Sequence, residues 1–185
     1  PCVEIGMYPK REDGKTGWQG CNLTEINGSM CNTEQEFYDA CKASAILGTL
    51  QAGYTNFKYV TDITKDIFER EALLGCSITG FMNNPKILFN PEIQKKGANI
   101  IKATNKIISS LLNINQAART TCVKPSGNAS VLLGTGSGIH GEHSKKYFRN
   151  VQVNKEEDLG KYIKSVNSKM VENSLWSNNN SDWVI

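Results

Sequence analysis

The sequence predicts an α/β fold. Short apolar, β-branched segments alternate with longer stretches of helical period, and the helical stretches carry explicit start signals. The 185 residues are 39% apolar and 21% charged, which suits a globular chain able to bury a core without disulfide or metal staples. That length fits one domain, so residues 1–185 are read as a single unit.

The elements follow in order. Residues 9–20 (PKREDGKTGWQG) are polar and glycine-rich, hence a loop. Thr33 and Glu36 form a capping-box pattern, followed by Phe37, Cys41, Ser44 and Leu47 on one helical face as far as about Ala52. A second helix is expected from about Thr61 to Leu74, with Ile63, Ile67 and Leu74 on one side and Gly75 as its stop. Cys76 to Phe81 reads as a short buried strand, and Asn83-Asn84-Pro85 as a turn. Asn90-Pro91-Glu92 is a strong helix start: a cap, a proline at the first position and an acid in the first turn. Its buried face is expected to be Ile93, Gly97, Ile100, Ile101, Thr104, Ile108 and Leu111. Thr120–Lys124 and Tyr147–Val153 read as strands, 155–173 as a helix through Leu159, Ile163, Val166 and Met170, and Asp182–Ile185 as a last strand.

A formal charge of +3 is too small to argue for a nucleic-acid or anionic-membrane partner. No apolar run approaches the roughly 20 residues of a membrane helix. No basic and apolar leader is visible at Pro1-Cys2-Val3-Glu4, so a cytoplasmic location is expected. The chain opens on proline and closes on apolar Trp183-Val184-Ile185, from which we expect a fragment of a longer protein.

The six cysteines, Cys2, Cys21, Cys31, Cys41, Cys76 and Cys122, contain no CxxC, so no zinc knuckle and no metal site is expected from them. Cys31, Cys41, Cys76 and Cys122 read as buried or idle thiols. Cys2 and Cys21 lie among polar neighbours, and composition leaves open whether they react.

Three constellations carry chemistry. In an extended segment Cys2 and Glu4 point to one side, about 6.5–7 Å apart along the chain. A carboxylate opposes thiolate formation, so the pair suits a thiol that gives and takes hydrogen atoms while the acid handles a hydroxyl proton. A surface CxE without a role has the same spacing. The Pro125-Ser126-Gly127-Asn128-Ala129-Ser130 turn could open a short helix whose N–H groups, with the Ser126 and Ser130 hydroxyls, would attract phosphate. It lacks the P-loop pattern, and an ordinary strand–turn–helix corner looks the same. His140 and His143 flank Glu142, but with no third ligand in sight they read as loop residues.

Several segments together resemble the catalytic subunit of ribonucleotide reductase. Pro1-Cys2-Val3-Glu4-Ile5 resembles the tip of that family's finger loop, and Cys21 to Ile26 the CNLxEI segment that follows it. GTLQAGYTNF (48–57), GCSITGFMNNP (75–85) and TCVKPSGNASVLLGTGSGIHGEHS (121–144) are most similar to the vitamin-B12-dependent class II type. The likeness runs almost end to end, through NVQVNKEE and SLWSNNNSDWVI.

The resemblance implies part of a ten-stranded α/β barrel, with the finger tip and most of the second half-barrel in this chain. It implies reduction of ribonucleotides to 2′-deoxyribonucleotides for DNA synthesis. Cys2 would carry the thiyl radical and abstract the ribose 3′-hydrogen. Glu4 would take the 3′-hydroxyl proton. Cys21 would be one of two cysteines oxidised to a disulfide, and Pro125–Ser130 would hold the substrate phosphates. Adenosylcobalamin would be the cofactor, ribonucleoside tri- or diphosphate the substrate, a thioredoxin-like protein or dithiol the reductant, and deoxynucleotides the allosteric ligands, bound outside this stretch. The asparagine usually preceding the PCxE proline, the second redox cysteine and the C-terminal cysteine pair also fall outside, so the isolated 185 residues are expected to be inactive. Two alternatives stay open: a class I diphosphate reductase large subunit served by a metal-containing small subunit, and a non-catalytic phosphate-binding module.

Overall fold

A computed structural model describes residues 5–142, 144 and 146–185. Cys2, Glu4 and His143 lie outside the described residues. The chain divides into two compact units, residues 1–142 and 143–185.

The first unit is built on parallel strands. β1 (Asn22–Asn27) pairs in parallel with β2 (Leu74–Thr79), in register from Asn22 opposite Leu74 to Asn27 opposite Thr79. Parallel neighbours need a long crossover, here supplied by α1 (Glu34–Ala52) and α2 (Asp62–Glu71). On the other side of β2 the backbone amides of Leu74 and Cys76 donate to the carbonyls of Arg119 and Thr120 (2.9 and 3.0 Å), and Cys122 donates back to Cys76 (3.1 Å). β2 is therefore central, and it is buried along nearly its whole length, as a strand covered on both faces must be. The expected strand at Thr120–Lys124 is reduced to one parallel bridge, Thr121 to Cys76.

Thr33 caps α1 through its side chain, and Glu36 reaches back to the Thr33 amide, completing the capping box. The helix ends at Ala52 as the sequence predicts. Its buried face runs Phe37, Cys41, Ser44, Ala45, Gly48, Thr49 and Ala52, so Leu47 is not on it and is 58% exposed. A 3.6-residue period carries the face through Gly48, where a Cβ would lie 3.1 Å from Leu74 Cγ. The missing side chain is what lets the helix lie close on the sheet.

α2 stops at Glu71, not Leu74: Ala72 turns left-handed (φ 42°) and its amide closes on Phe68. Asn22 then holds the Leu73 carbonyl through its backbone and side-chain amides, which draws Leu74 into β2. After β2, residues 81–83 form a 3-10 turn, and α3 (Pro85–Leu88) starts at the proline. The expected plain turn at Asn83–Pro85 is thus helical on both sides.

α4 (Pro91–Leu112) begins where expected, with Asn90 Oδ1 accepting from Glu92 and Ile93. Its buried face is Ile93, Gly97, Ile101, Thr104, Asn105 and Ser109. Leu111, expected to be buried, is 76% exposed, because the face continues through Asn105 and Ser109 instead. Gly97 seats α4 on α1: a Cβ there would meet Phe37 Cε1 at 2.7 Å and Cys41 Sγ at 3.0 Å. Buried Asn105 donates to Thr49 Oγ1 (3.0 Å) and accepts from the Ala117 amide (3.0 Å). α5 (Asn128–Leu133) follows the Pro125 turn.

The second unit is a small antiparallel sheet in the order β3 (Gln152–Asn154), β5 (Asp182–Val184), β4 (Glu172–Asn173), with α6 (Asp158–Val166). The expected long strand from Tyr147 is short, although Val151 still exchanges hydrogen bonds with Ile185. The helix expected over 155–173 ends at Val166, and Met170 lies in a 3-10 turn, 60% exposed. Trp183 holds this unit together: the ammonium groups of Lys155 and Lys164 lie 4.1 and 4.7 Å from its ring centroid. Among the described residues no helix is long and apolar enough to cross a membrane.

Candidate active site

Side chains alternate across a strand, and this divides the residues of β1 and β2 between two faces. Thr24 and Leu74 meet α1, with Thr24 Oγ1 2.6 Å from Ser44 Oγ. Cys21, Leu23, Glu25 and Asn27, with Gly75, Ser77 and Thr79, alternate to the other face.

The thiols meet at Gly75. A Cβ on this glycine would lie closest to Leu23 Cδ2, then 2.8 Å from Cys21 Sγ and 3.1 Å from Cys122 Sγ, so the Leu23 methyl and two cysteines from opposite sides of β2 pack over the position that has no side chain. Cys122, expected to be buried or idle, is half-buried here, whereas Cys31, Cys41 and Cys76 are buried. Both thiols line a cleft of about 500 Å³, together with Leu73, Arg119 and the segment Ile5–Tyr8. That segment directly follows Cys2 and Glu4 in the chain. Burial, with a smaller push from Cys76, raises the Cys21 thiol to about 11. At neutral pH it is therefore protonated, a poor nucleophile and a competent hydrogen-atom donor.

Further along the strands, Glu25 and Lys124 form an ion pair with both side chains only 11% exposed. Glu25 Oε1 is buried without a hydrogen-bond partner. Lys124 leads straight into Pro125, so the pair anchors the entry to the turn. In the turn Ser126 and Gly127 both take positive φ (65° and 52°). The Ser126 hydroxyl is buried and unpartnered. Ser130 commits its hydroxyl to the Gly127 carbonyl (2.7 Å), so it is not the outward donor the sequence suggests. Pro125, Asn128 and Ala129 complete the turn and the first residues of α5.

The glycine-rich segment 134–138 is fastened to the end of β2. Thr79 Oγ1 donates to the Gly136 carbonyl and accepts from the Gly138 amide, each at 2.8 Å. Asn83 Oδ1 accepts from Thr135 Oγ1 (2.7 Å) and the Gly136 amide (2.8 Å), and its Nδ2 donates to Glu142 (3.1 Å). Ser137 Oγ donates to the Pro125 carbonyl, joining this segment to the turn. The sequence missed Asn83 and Thr79, because an NNP triplet and a strand threonine carry no signal of a distant loop. Among the described residues no three or more His, Cys, Asp or Glu converge as for a metal, and His140 is exposed.

A parallel α/β sheet with polar loops beyond its carboxyl ends is an architecture in which ligands bind at those ends, and here a thiol cleft lies beside it. No family model matches the chain. It is 31% identical over 161 residues to a probable adenosylcobalamin-dependent ribonucleoside-triphosphate reductase of Dictyostelium discoideum, covering 84% of this chain and 20% of that protein. It is 29% identical over 99 residues to the adenosylcobalamin-dependent ribonucleoside-triphosphate reductase of Euglena gracilis, covering 52% and 14%. A crystal structure of a B12-dependent class II ribonucleotide reductase superposes with a TM-score of 0.65 at 17% identity, over 90% of this chain and 26% of that one. The chain is thus similar in sequence to two adenosylcobalamin-dependent ribonucleoside-triphosphate reductases and in fold to a class II ribonucleotide reductase. It spans about a fifth of the length of the Dictyostelium protein.

Proposed function

We propose that this chain is part of the catalytic barrel of an enzyme that reduces ribonucleotides to 2′-deoxyribonucleotides by a thiyl-radical route, with residues 1–185 lying within one barrel domain. The observation that carries the reading is the protonated, desolvated Cys21 thiol in the cleft walled by the residues that follow Cys2 and Glu4. The class II relatives favour this over a class I large subunit. The α/β core and the superposition support a ten-stranded barrel completed by sequence outside this stretch.

In this reading Cys2, as the thiyl radical, takes the 3′-hydrogen atom of the ribose and returns it at the end of turnover, which restores the radical. Glu4 accepts the 3′-hydroxyl proton, and the 2′-hydroxyl leaves as water with a proton from the thiol pair. Cys21 and a second cysteine outside this stretch supply two electrons and end as a disulfide, which a dithiol or thioredoxin-like protein reduces. The balance is one ribonucleotide and two thiols to one deoxyribonucleotide, one disulfide and one water. Pro125–Ser130 hold the substrate phosphates, with Ser126 as the hydroxyl donor. Adenosylcobalamin, when bound, supplies the radical. The described residues fit the dithiol side of this chemistry through Cys21, and the cofactor's contacts are assigned to the rest of the relatives' length. The substrate is a ribonucleoside triphosphate, and deoxynucleotide effectors bind elsewhere.

The test is deoxyribonucleotide formation by the protein expressed from its complete reading frame, given four ribonucleoside triphosphates, a dithiol and adenosylcobalamin. Product that depends on cobalamin and vanishes in Cys2→Ala and Cys21→Ser supports the reading. Product only with a metal-loaded small subunit moves the protein to class I. No product, with nucleotide still bound, leaves a phosphate-binding module.

A further inference from the structure

Asn83 has no part in the chemistry proposed above, yet its side-chain amide is committed to the segment that backs the Pro125–Ser130 turn. It sits in the 3-10 turn after β2. Its Oδ1 accepts twice, from the Thr135 hydroxyl (2.7 Å) and the Gly136 amide (2.8 Å). Its Nδ2 donates to Glu142 Oε1 (3.1 Å). The segment held in this way lies close against the turn. A Cβ on Gly136 would lie 2.9 Å from Glu142 Oε1 and 3.1 Å from Asn83 Oδ1, and one on Gly138 would lie 2.6 Å from the Lys124 carbonyl oxygen. Ser137 Oγ donates to the Pro125 carbonyl, and the Thr135 amide donates to the Ser130 carbonyl (3.0 Å). Residues 135–138 therefore grip the turn at both ends. The turn needs that grip. Ser126 adopts φ 65°, a left-handed conformation that a residue with a side chain keeps only where its surroundings hold it. The same residue carries a buried hydroxyl without a partner.

We propose that Asn83 is a positioning residue for the substrate phosphates: it sets their affinity without touching them, by holding residues 135–138 against Pro125 and Ser130. This rests on the reading of Pro125–Ser130 as the phosphate-binding turn. The position calls for an amide, because it must accept two hydrogen bonds and donate one to a carboxylate. Asn83→Asp keeps both acceptances but faces Glu142 with a second carboxylate. Asn83→Asp/Glu142→Gln restores one donor and one acceptor with their order reversed. Thr79 holds the backbone of the same segment at Gly136 and Gly138, so loss of the Asn83 amide loosens the grip and leaves the fold in place.

The test uses the protein expressed from its complete reading frame. Hydrogen exchange, read by mass spectrometry over residues 124–138, is followed while a ribonucleoside triphosphate is titrated, so the midpoint of protection reports on this turn. Asn83→Ala is expected to raise that midpoint about tenfold. It should also speed exchange over 124–138 without nucleotide and leave exchange across α1 unchanged. In turnover, KM should rise by the same factor with kcat within about twofold. Asn83→Asp should match Asn83→Ala, and Asn83→Asp/Glu142→Gln should return to within about threefold of the unsubstituted protein; this pair decides if Asn83→Ala does not fold. An unchanged midpoint in folded Asn83→Ala overturns the proposal and leaves the phosphate reading standing. So does a raised midpoint with faster exchange throughout α1, which is general loosening. A double variant no better than Asn83→Asp overturns it as well. Absence of protection over 124–138 in the unsubstituted protein overturns the phosphate reading itself, and the proposal with it.

Discussion

The two faces of the β1–β2 sheet are built on opposite terms. The helix face is apolar and close-packed: Phe37, Cys41, Ala45 and Leu74 are at most 1% exposed, and glycines at 48 and 97 bring backbone against side chain. The other face carries thiols, the Glu25–Lys124 pair and the hydroxyl of Thr79, the last two held by partners distant in sequence. One face fixes the fold and tolerates no lost volume. The other fixes positions, and on or beside it Glu25 Oε1, Thr120 Oγ1 and Ser126 Oγ stay buried and unpartnered. Such groups cost stability and are the pattern of a surface that awaits a ligand.

The contrast breaks first at Phe37. Phe37→Ala opens a cavity between α1 and α4 and is expected to cost about 4 kcal/mol, read by urea denaturation. On the other face Lys124→Met leaves Glu25 buried without its cation, at about 3 kcal/mol. The Glu25→Gln/Lys124→Met double variant should recover much of that loss. If the double variant is as unstable as the single one, apolar packing governs this face too.

Legibility in the sequence follows the same division. The helix face was readable because local rules made it: the Thr33–Glu36 capping box and the Asn90-Pro91 start stand where expected. The stop of α2 was not, since Gly75 looked like a C-cap while tertiary pairing of Asn22 with Leu73 had already drawn the chain into β2. Of the site, Cys21 and the Pro125–Ser130 turn were singled out by local pattern and family resemblance. Cys122 and Asn83 were passed over, because their places in the site depend on residues 101 and 52 positions away along the chain.

A third test compares thiols from the two faces by pH. Burial raises Cys41 to about 12 and Cys21 to about 11, from an ordinary value near 9. The folded state thus holds these protons to higher pH than the unfolded state. Their contribution is full below pH 9 and is lost as pH climbs through 11 to 12. Melting temperature is expected to fall over that window. Cys41→Ala should flatten the slope more than Cys21→Ala, whatever each does to the absolute stability at pH 7. Equal slopes would mean the half-exposed cleft desolvates its thiol as fully as the core does.

The smallest effect draws the sharpest line, between two adjacent residues of α1. Sequence periodicity put Leu47 on the buried face, yet Leu47 is 58% exposed while Gly48 is buried. Leu47→Ser removes a large apolar side chain and should still change stability by no more than about 0.5 kcal/mol, as for other surface sites. Gly48→Ala adds a single methyl group and gains intrinsic helix propensity of up to about 1 kcal/mol. That methyl group would sit 3.1 Å from Leu74 Cγ and 3.3 Å from its Cδ2, so the Leu74 side chain must give by a few tenths of an ångström, and overpacking costs about 1–3 kcal/mol. The larger chemical change should therefore be the quieter one. A destabilising Leu47→Ser beside a neutral Gly48→Ala in the same denaturation series would rotate the helix by one residue and reassign the packed face of the sheet.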